Sequence, residues 1–88
     1  MASVSLTLIG KPGCHLCDDA REVIRGVLGG LPPGSVDVVV TELSILDNPA
    51  LMDEFAEEIP VVMLDGRVHT IWRVDPARLT NALLEAAS

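Results

Sequence analysis

Gly10-Lys11-Pro12-Gly13-Cys14-His15-Leu16-Cys17 is the stretch on which the reading of this chain turns. Gly10 to Gly13 is loop chemistry, with a proline between two glycines. Before it, Val4–Ile9 alternates: Val4, Leu6 and Leu8 face one way, and Ser5, Thr7 and Ile9 the other. That period of two predicts a strand, and its apolar end at Ile9 predicts cover on both faces. After it, the period changes to 3.6. Leu16, Ala20, Val23, Ile24, Val27, Leu28 and Leu31 form one stripe, opposite Asp18, Asp19, Arg21, Glu22 and Arg25. The octapeptide is therefore a strand-to-helix junction, with Cys14 at its mouth and Cys17 one turn further on.

Working outward, Gly29-Gly30 and Pro32-Pro33-Gly34 are expected to stop this helix. Val36–Thr41, rich in β-branched residues, predicts a second strand. A strand, helix and strand joined by short connections make a parallel, right-handed crossover. Asn48-Pro49 reads as an N-cap with proline at the first helical position, and Leu51, Met52, Phe55 and Ala56 as the buried stripe of a short helix. Ile59-Pro60 opens a third strand, Val61–Leu64. Asp65-Gly66 is a two-residue hairpin signal that returns Arg67–Trp72 antiparallel. Asp75-Pro76 repeats the cap-and-proline pattern ahead of a last helix faced by Leu79, Leu83, Ala86 and Ala87. The order is β-α-β-α-β-β-α, an α/β arrangement, read as a single domain over 1–88 with no repeat or linker.

Composition narrows the function. A chain of 88 residues buries only about 60–65% of its unfolded surface. Its 49% hydrophobic content is enough for a core, which must be aliphatic because Phe55 and Trp72 are the only aromatics. No row of rings is available for stacking on bases. Six basic against thirteen acidic residues give −7, which disfavours nucleic acid and anionic membranes as partners. No apolar run reaches the ~18 residues of a membrane span, and Met1-Ala2-Ser3-Val4 lacks the features of a secretory leader. A cytoplasmic location is the expectation. Two cysteines are too few for a disulfide scaffold, and a bridge across a two-residue gap restrains little chain entropy. If Cys14 and Cys17 join, the reason is chemistry.

That chemistry follows from position. The free N–H groups and positive end of a helix favour a thiolate at Cys14, and thiolate is the attacking species in disulfide exchange. Cys17, one turn later on the same face, is placed to resolve a mixed disulfide. Asp18 and Asp19 oppose the thiolate, and Lys11 is a candidate to offset them. His15 is a candidate for tuning the thiolate when protonated, against the plainer reading of an exposed first-turn residue. C-x-x-C also occurs in zinc sites, which need four ligands. With His69 far along on a predicted strand, no metal site is expected, and C-x-x-C beside a β-α-β unit favours a redox pair.

On Lys11-Pro12-Gly13-Cys14-His15-Leu16-Cys17, Ile59-Pro60-Val61-Val62 and Asp65-Gly66-Arg67, the chain resembles the thioredoxin superfamily, and its glutaredoxin-like branch more than thioredoxin itself. The resemblance implies the thioredoxin fold: a four-stranded mixed sheet with helices on both faces. It implies a cis bond before Pro60, whose predecessor Ile59 offers its backbone to substrate, and it sets Lys11 beside a glutathione carboxylate. It implies a thiol–disulfide oxidoreductase in which Cys14 attacks and Cys17 resolves. Substrates would be protein or low-molecular-weight disulfides. No cofactor would be bound, glutathione or a reductase would donate electrons, and the protein would be a monomer. The alternative within the same branch is a metal or iron–sulfur carrier. Two departures stand out. His15 and Leu16 replace the usual proline and tyrosine, and Arg73-Val74-Asp75-Pro76 replaces the paired glycines that help hold glutathione. Elsewhere, Trp72 is expected to cover the sheet's edge, the alternative being that it lines a substrate groove; Met52 and Met63 are expected to pack, and Asp53, Glu54, Glu57 and Glu58 to form a solvated face.

Overall fold

Val4, Leu6 and Leu8 are all buried, so the alternation read from the sequence fixes one face of the first strand, β1 (Ser3–Gly10). The computed structural model describes residues 3–87. After β1 come α1 (His15–Gly30), β2 (Asp37–Ser44), a 3-10 turn at Ile45–Asp47, α2 (Pro49–Phe55), β3 (Val61–Leu64), β4 (Arg67–Ile71) and α3 (Pro76–Ala86). The sheet order is β2-β1-β3-β4. β1 runs parallel to β2 and antiparallel to β3, and β4 pairs antiparallel with β3. The result is the mixed α/β sheet of the thioredoxin fold.

Side-chain parity divides the core in two. Val4, Leu6, Leu8 and Val62 meet Ala20, Ile24 and Val27 of α1 and Leu79 and Leu83 of α3. On the other face Ile9 and Val61 meet Ile45 and Phe55. Because α2 is only seven residues long, it covers that face at the Ile9 end alone. Ser5 remains exposed and Thr7 half-buried, so the double cover expected of β1 holds only at its last residues.

The helix starts follow the expected chemistry. Asn48 Oδ1 accepts the Ala50 N–H, and Asp75 Oδ1 accepts those of Ala77 and Arg78, with Pro49 and Pro76 just inside. The Asp65-Gly66 hairpin has both residues at positive φ, 50° and 81°, as the turn requires. Asp65 also ties the hairpin to β1, its carboxylate accepting the Ser5 N–H at 2.9 Å.

Several boundaries differ from the sequence reading. α1 runs through Gly29 and Gly30 and stops at Leu31, which takes an extended conformation because Pro32 follows it. β2 extends to Ser44 because it pairs along the whole of β1, from Ser3↔Asp37 to Gly10↔Ser44. As an edge strand it leaves Val39, Val40 and Leu43 exposed. Leu16, assigned to the buried stripe of α1, is exposed, and Cys17 takes the buried place. Ala56 and Ala86 are likewise exposed, each at the end of its helix. His69 is half-buried on β4. Burial, helped by Arg78, lowers its pKa and so favours the neutral ring, with Nε2 buried and unpartnered. No helix among the described residues is long and apolar enough to cross a membrane.

Candidate functional site

The loop after β1 turns on Gly13, at φ 75°, and delivers Cys14 to the N-cap of α1. Cys14 is thus the cap itself, not the first helical residue. Its Sγ accepts the Cys17 N–H at 3.2 Å, where a serine or aspartate oxygen usually sits. Its carbonyl accepts the Asp18 N–H at 3.0 Å, which closes the first turn. The sulfur therefore lies at the positive end of a sixteen-residue helix.

The two sulfurs, both free thiols, occupy different environments. Cys14 is half-buried, whereas Cys17 is 1% exposed. Burial, and then hydrogen bonding to Cys14, push the Cys17 thiol up to about 11, although the Lys11 backbone N–H bonded to its sulfur acts in the other direction. One sulfur is accessible at the end of a helix dipole. The other is held protonated beneath it.

Gly10 makes room for this arrangement. A Cβ built on Gly10 would lie 2.8 Å from Cys17 Sγ and 3.2 Å from Cys17 Cβ. Its φ is not positive, so the need for glycine here is close approach and not backbone freedom. Gly10 pairs with Ser44 on one side. Extending the Ile9↔Val61 register by one residue puts Pro60 opposite it on the other. The Trp72 N–H donates to the Pro60 carbonyl at 2.8 Å. Ser44, Gly10, Pro60 and Trp72 thus form one row across the end of the sheet, with Cys17 directly over Gly10.

The Ile59–Pro60 peptide is cis, as the resemblance implies. The Ile59 side chain packs, half-buried, against the smaller apolar cluster. Lys11 is exposed on the loop, and its main chain faces Cys17. His15 is exposed on the first turn of α1. Trp72 lies just past the edge strand β4, 53% exposed and at φ 66°, with its indole N–H donating to the Glu57 carbonyl.

Arg21 stands on the polar side of α1 but is not simply solvated. Its guanidinium pairs with Asp18 at 2.8 Å and with Glu42 on β2. These carboxylates raise the pKa of Arg21, Glu42 first and then Asp18. Asp18, expected to oppose charge on Cys14, is therefore engaged by a cation. The i,i+3 spacing of Asp18 and Arg21 was readable, but the cross-element partner Glu42 was not. Lys11, Asp18, Arg21, Glu42 and Asp47 line a groove of about 400 Å³ on the β2 side of the junction. No group of three or more His, Cys, Asp and Glu is gathered around one point among the described residues, so those residues do not by themselves assemble a four-ligand zinc site.

Residues 5–84 match the glutaredoxin-like domain (DUF836). The chain belongs to the glutaredoxin-like domain family. An uncharacterized protein of Mycobacterium tuberculosis (strain ATCC 25618 / H37Rv) is 33% identical over 79 residues, 90% of this chain and 81% of that protein. A Dictyostelium discoideum protein called glutaredoxin-like is 27% identical, over 88% of this chain and 72% of that protein. Among solved structures, the XcR50 protein from X. campestris is 32% identical, with a TM-score of 0.70 over 94% of this chain and 99% of that one. A mutant thioredoxin from Halobacterium salinarum NRC-1, at 17% identity and TM-score 0.69 over 99% of this chain and 77% of that one, shares the fold. In this glutaredoxin-like domain the quoted motifs converge: the C-x-x-C turn lies over Gly10, and the cis-proline strand lies beside it.

Proposed function

We propose that this glutaredoxin-like domain is a cytoplasmic thiol–disulfide oxidoreductase that reduces protein or low-molecular-weight disulfides through Cys14 and Cys17. The asymmetry between the two sulfurs supports the reading: an accessible one at a helix N-cap and a buried, protonated one a turn away. Cys14 thiolate attacks one sulfur of the substrate disulfide. The Cys14–substrate bond forms, the substrate S–S bond breaks, and the leaving thiolate takes a proton. Cys17 then loses its proton and attacks Cys14 Sγ. The Cys14–Cys17 disulfide forms, and the second substrate thiolate leaves. Two electrons pass from the dithiol to the substrate. Glutathione or a reductase returns them, with Lys11 and the Ile59 and Pro60 backbone at the substrate position and His15 beside the reacting sulfur. Nucleic acid and membrane take no part, and no cofactor stays bound.

A donor assay tests this. The oxidised protein is offered glutathione with its reductase, or thioredoxin reductase with NADPH, in the presence of bis(2-hydroxyethyl) disulfide or insulin. Turnover is expected with one donor couple, and a single turnover of the reduced protein leaves it lighter by two hydrogens. Failure with both couples and both substrates would sink the oxidoreductase reading. An absorbance spectrum after anaerobic purification checks the iron–sulfur alternative on the same sample.

A further inference from the structure

We propose that Trp72 determines specificity at this site, selecting disulfides in peptide chains that carry an apolar side chain about three residues from the reacting cysteine. This rests on the oxidoreductase reading and goes beyond it. Trp72 has φ 66°, a left-handed conformation that is a genuine outlier for a bulky side chain. Such outliers persist only where the surroundings over-determine them, and they concentrate at functional sites. Here the surroundings do so. The Trp72 N–H is held by the Pro60 carbonyl at 2.8 Å and its indole N–H by the Glu57 carbonyl at 3.0 Å. The next residue is fixed too, the Arg73 N–H donating to Ile71 O at 2.8 Å and its carbonyl accepting from Thr70 Oγ1 at 3.1 Å.

This fixed conformation does not serve the core. The residue stays 53% exposed in a protein that has only one other aromatic residue. Its single polar atom is already bonded to Glu57, so what faces solvent is apolar surface alone. Its location gives that surface a use. Trp72 ends the row that starts at Ser44 and passes Gly10 and Pro60, and Cys17 lies over Gly10. Adjacent strands are ~4.8 Å apart, so two steps separate Trp72 from Gly10 by ~10 Å, the span of about three extended residues. Leu16, 36% exposed between the cysteines, adds apolar surface at the same junction. A peptide lying along Pro60 with its cysteine at Cys14 brings a neighbouring side chain to the indole.

The chain's single tryptophan makes the test direct. Two synthetic peptide disulfides are compared, identical except for leucine or serine three residues from the cysteine. Wild-type protein is expected to favour the leucine peptide in kcat/KM by about tenfold, the scale of an apolar contact in a specificity pocket. Trp72→Ala brings the ratio close to one, mainly through KM, while Trp72→Phe retains most of the preference. In the Cys17→Ser protein, the mixed disulfide with the leucine peptide shifts the tryptophan emission, a readout independent of how well Trp72→Ala folds. Equal rates for the two peptides with wild-type protein, or emission unchanged in the mixed disulfide, overturn the role of Trp72 while leaving the oxidoreductase reading standing. Reduction of neither peptide, nor of any small disulfide, removes both.

Discussion

On the proposed mechanism, Cys14→Ser is expected to lower disulfide reduction by at least about a thousandfold, on the scale of losing a catalytic nucleophile, while Cys17→Ser is expected still to perform the first exchange and accumulate a mixed disulfide. The two cysteines are not interchangeable, because Cys17 is sealed from solvent and its thiol is pushed up to about 11 by burial and by its bond to Cys14. At pH 7 about one Cys17 in ten thousand is thiolate, so it cannot stand in for its neighbour. Within the mixed disulfide the target sulfur is one turn away, and proximity compensates for the scarcity of thiolate. Resolution is expected to speed up about tenfold per pH unit for as long as Cys17 in the mixed disulfide is mostly protonated, since only thiolate attacks. The stability consequence has the opposite sense. A thiol whose folded value is raised stabilises the fold below its ordinary value near 9, and that contribution is lost as pH rises through about 11. Non-reducing electrophoresis and intact mass read the trapped species. Equal loss from both substitutions, with nothing trapped, contradicts the assigned roles.

Gly10→Ala costs about 1–3 kcal/mol of stability, the usual range for overpacking a buried position, and slows the resolving step. The added methyl meets Cys17 Sγ at 2.8 Å, closer than real contacts allow, and Cys17 Cβ at 3.2 Å. Either the sulfur leaves its seat or β1 moves, and β1 is held by strands on both sides. The Cys17 side chain is the softer element. A double-mutant cycle isolates the effect: in a Cys17→Ala background the methyl meets only the carbon, and the penalty shrinks. Thermal unfolding of the four proteins, with stopped-flow measurement of resolution in the two that retain Cys17, gives both readouts. An equal penalty in both backgrounds means the clash is with the Cys17 Cβ and not the sulfur.

Element order was legible because each junction carries its own chemistry. Asn48-Pro49, Asp65-Gly66 and Asp75-Pro76 mark two helix starts and a hairpin, and all three do so in the structure. The end of α1 was not, because Gly29-Gly30 reads as a stop while the decisive constraint is Pro32 acting on Leu31. The length of β2 depended on its partner, and a register cannot be read from one strand. At the site, the cysteines and the cis-proline motif were visible as local patterns. Three features were not: the Arg21–Glu42 pair, the contact of Gly10 with Cys17, and the turned-out Trp72. The Arg21–Glu42 pair and the bonds of Trp72 to Pro60 and Glu57 join residues distant in sequence, whereas the Gly10–Cys17 contact depends on how closely the first turn of α1 folds back over the end of β1.

The stop that moved also marks where this helix spends backbone entropy on glycines. Beyond its tie to β2 through Arg21, α1 continues through Gly26, Gly29 and Gly30, where added methyl groups would meet nothing within 4 Å, and its last turn carries no basic residue. Gly29→Ala is expected to add about 0.5–1 kcal/mol, readable as a rise of a few degrees in Tm, and no rise would show that the far half of the helix is already firm. Thermal hardening and sulfur reactivity therefore sit at opposite ends of one helix, and an engineer can adjust the first without trading away the second.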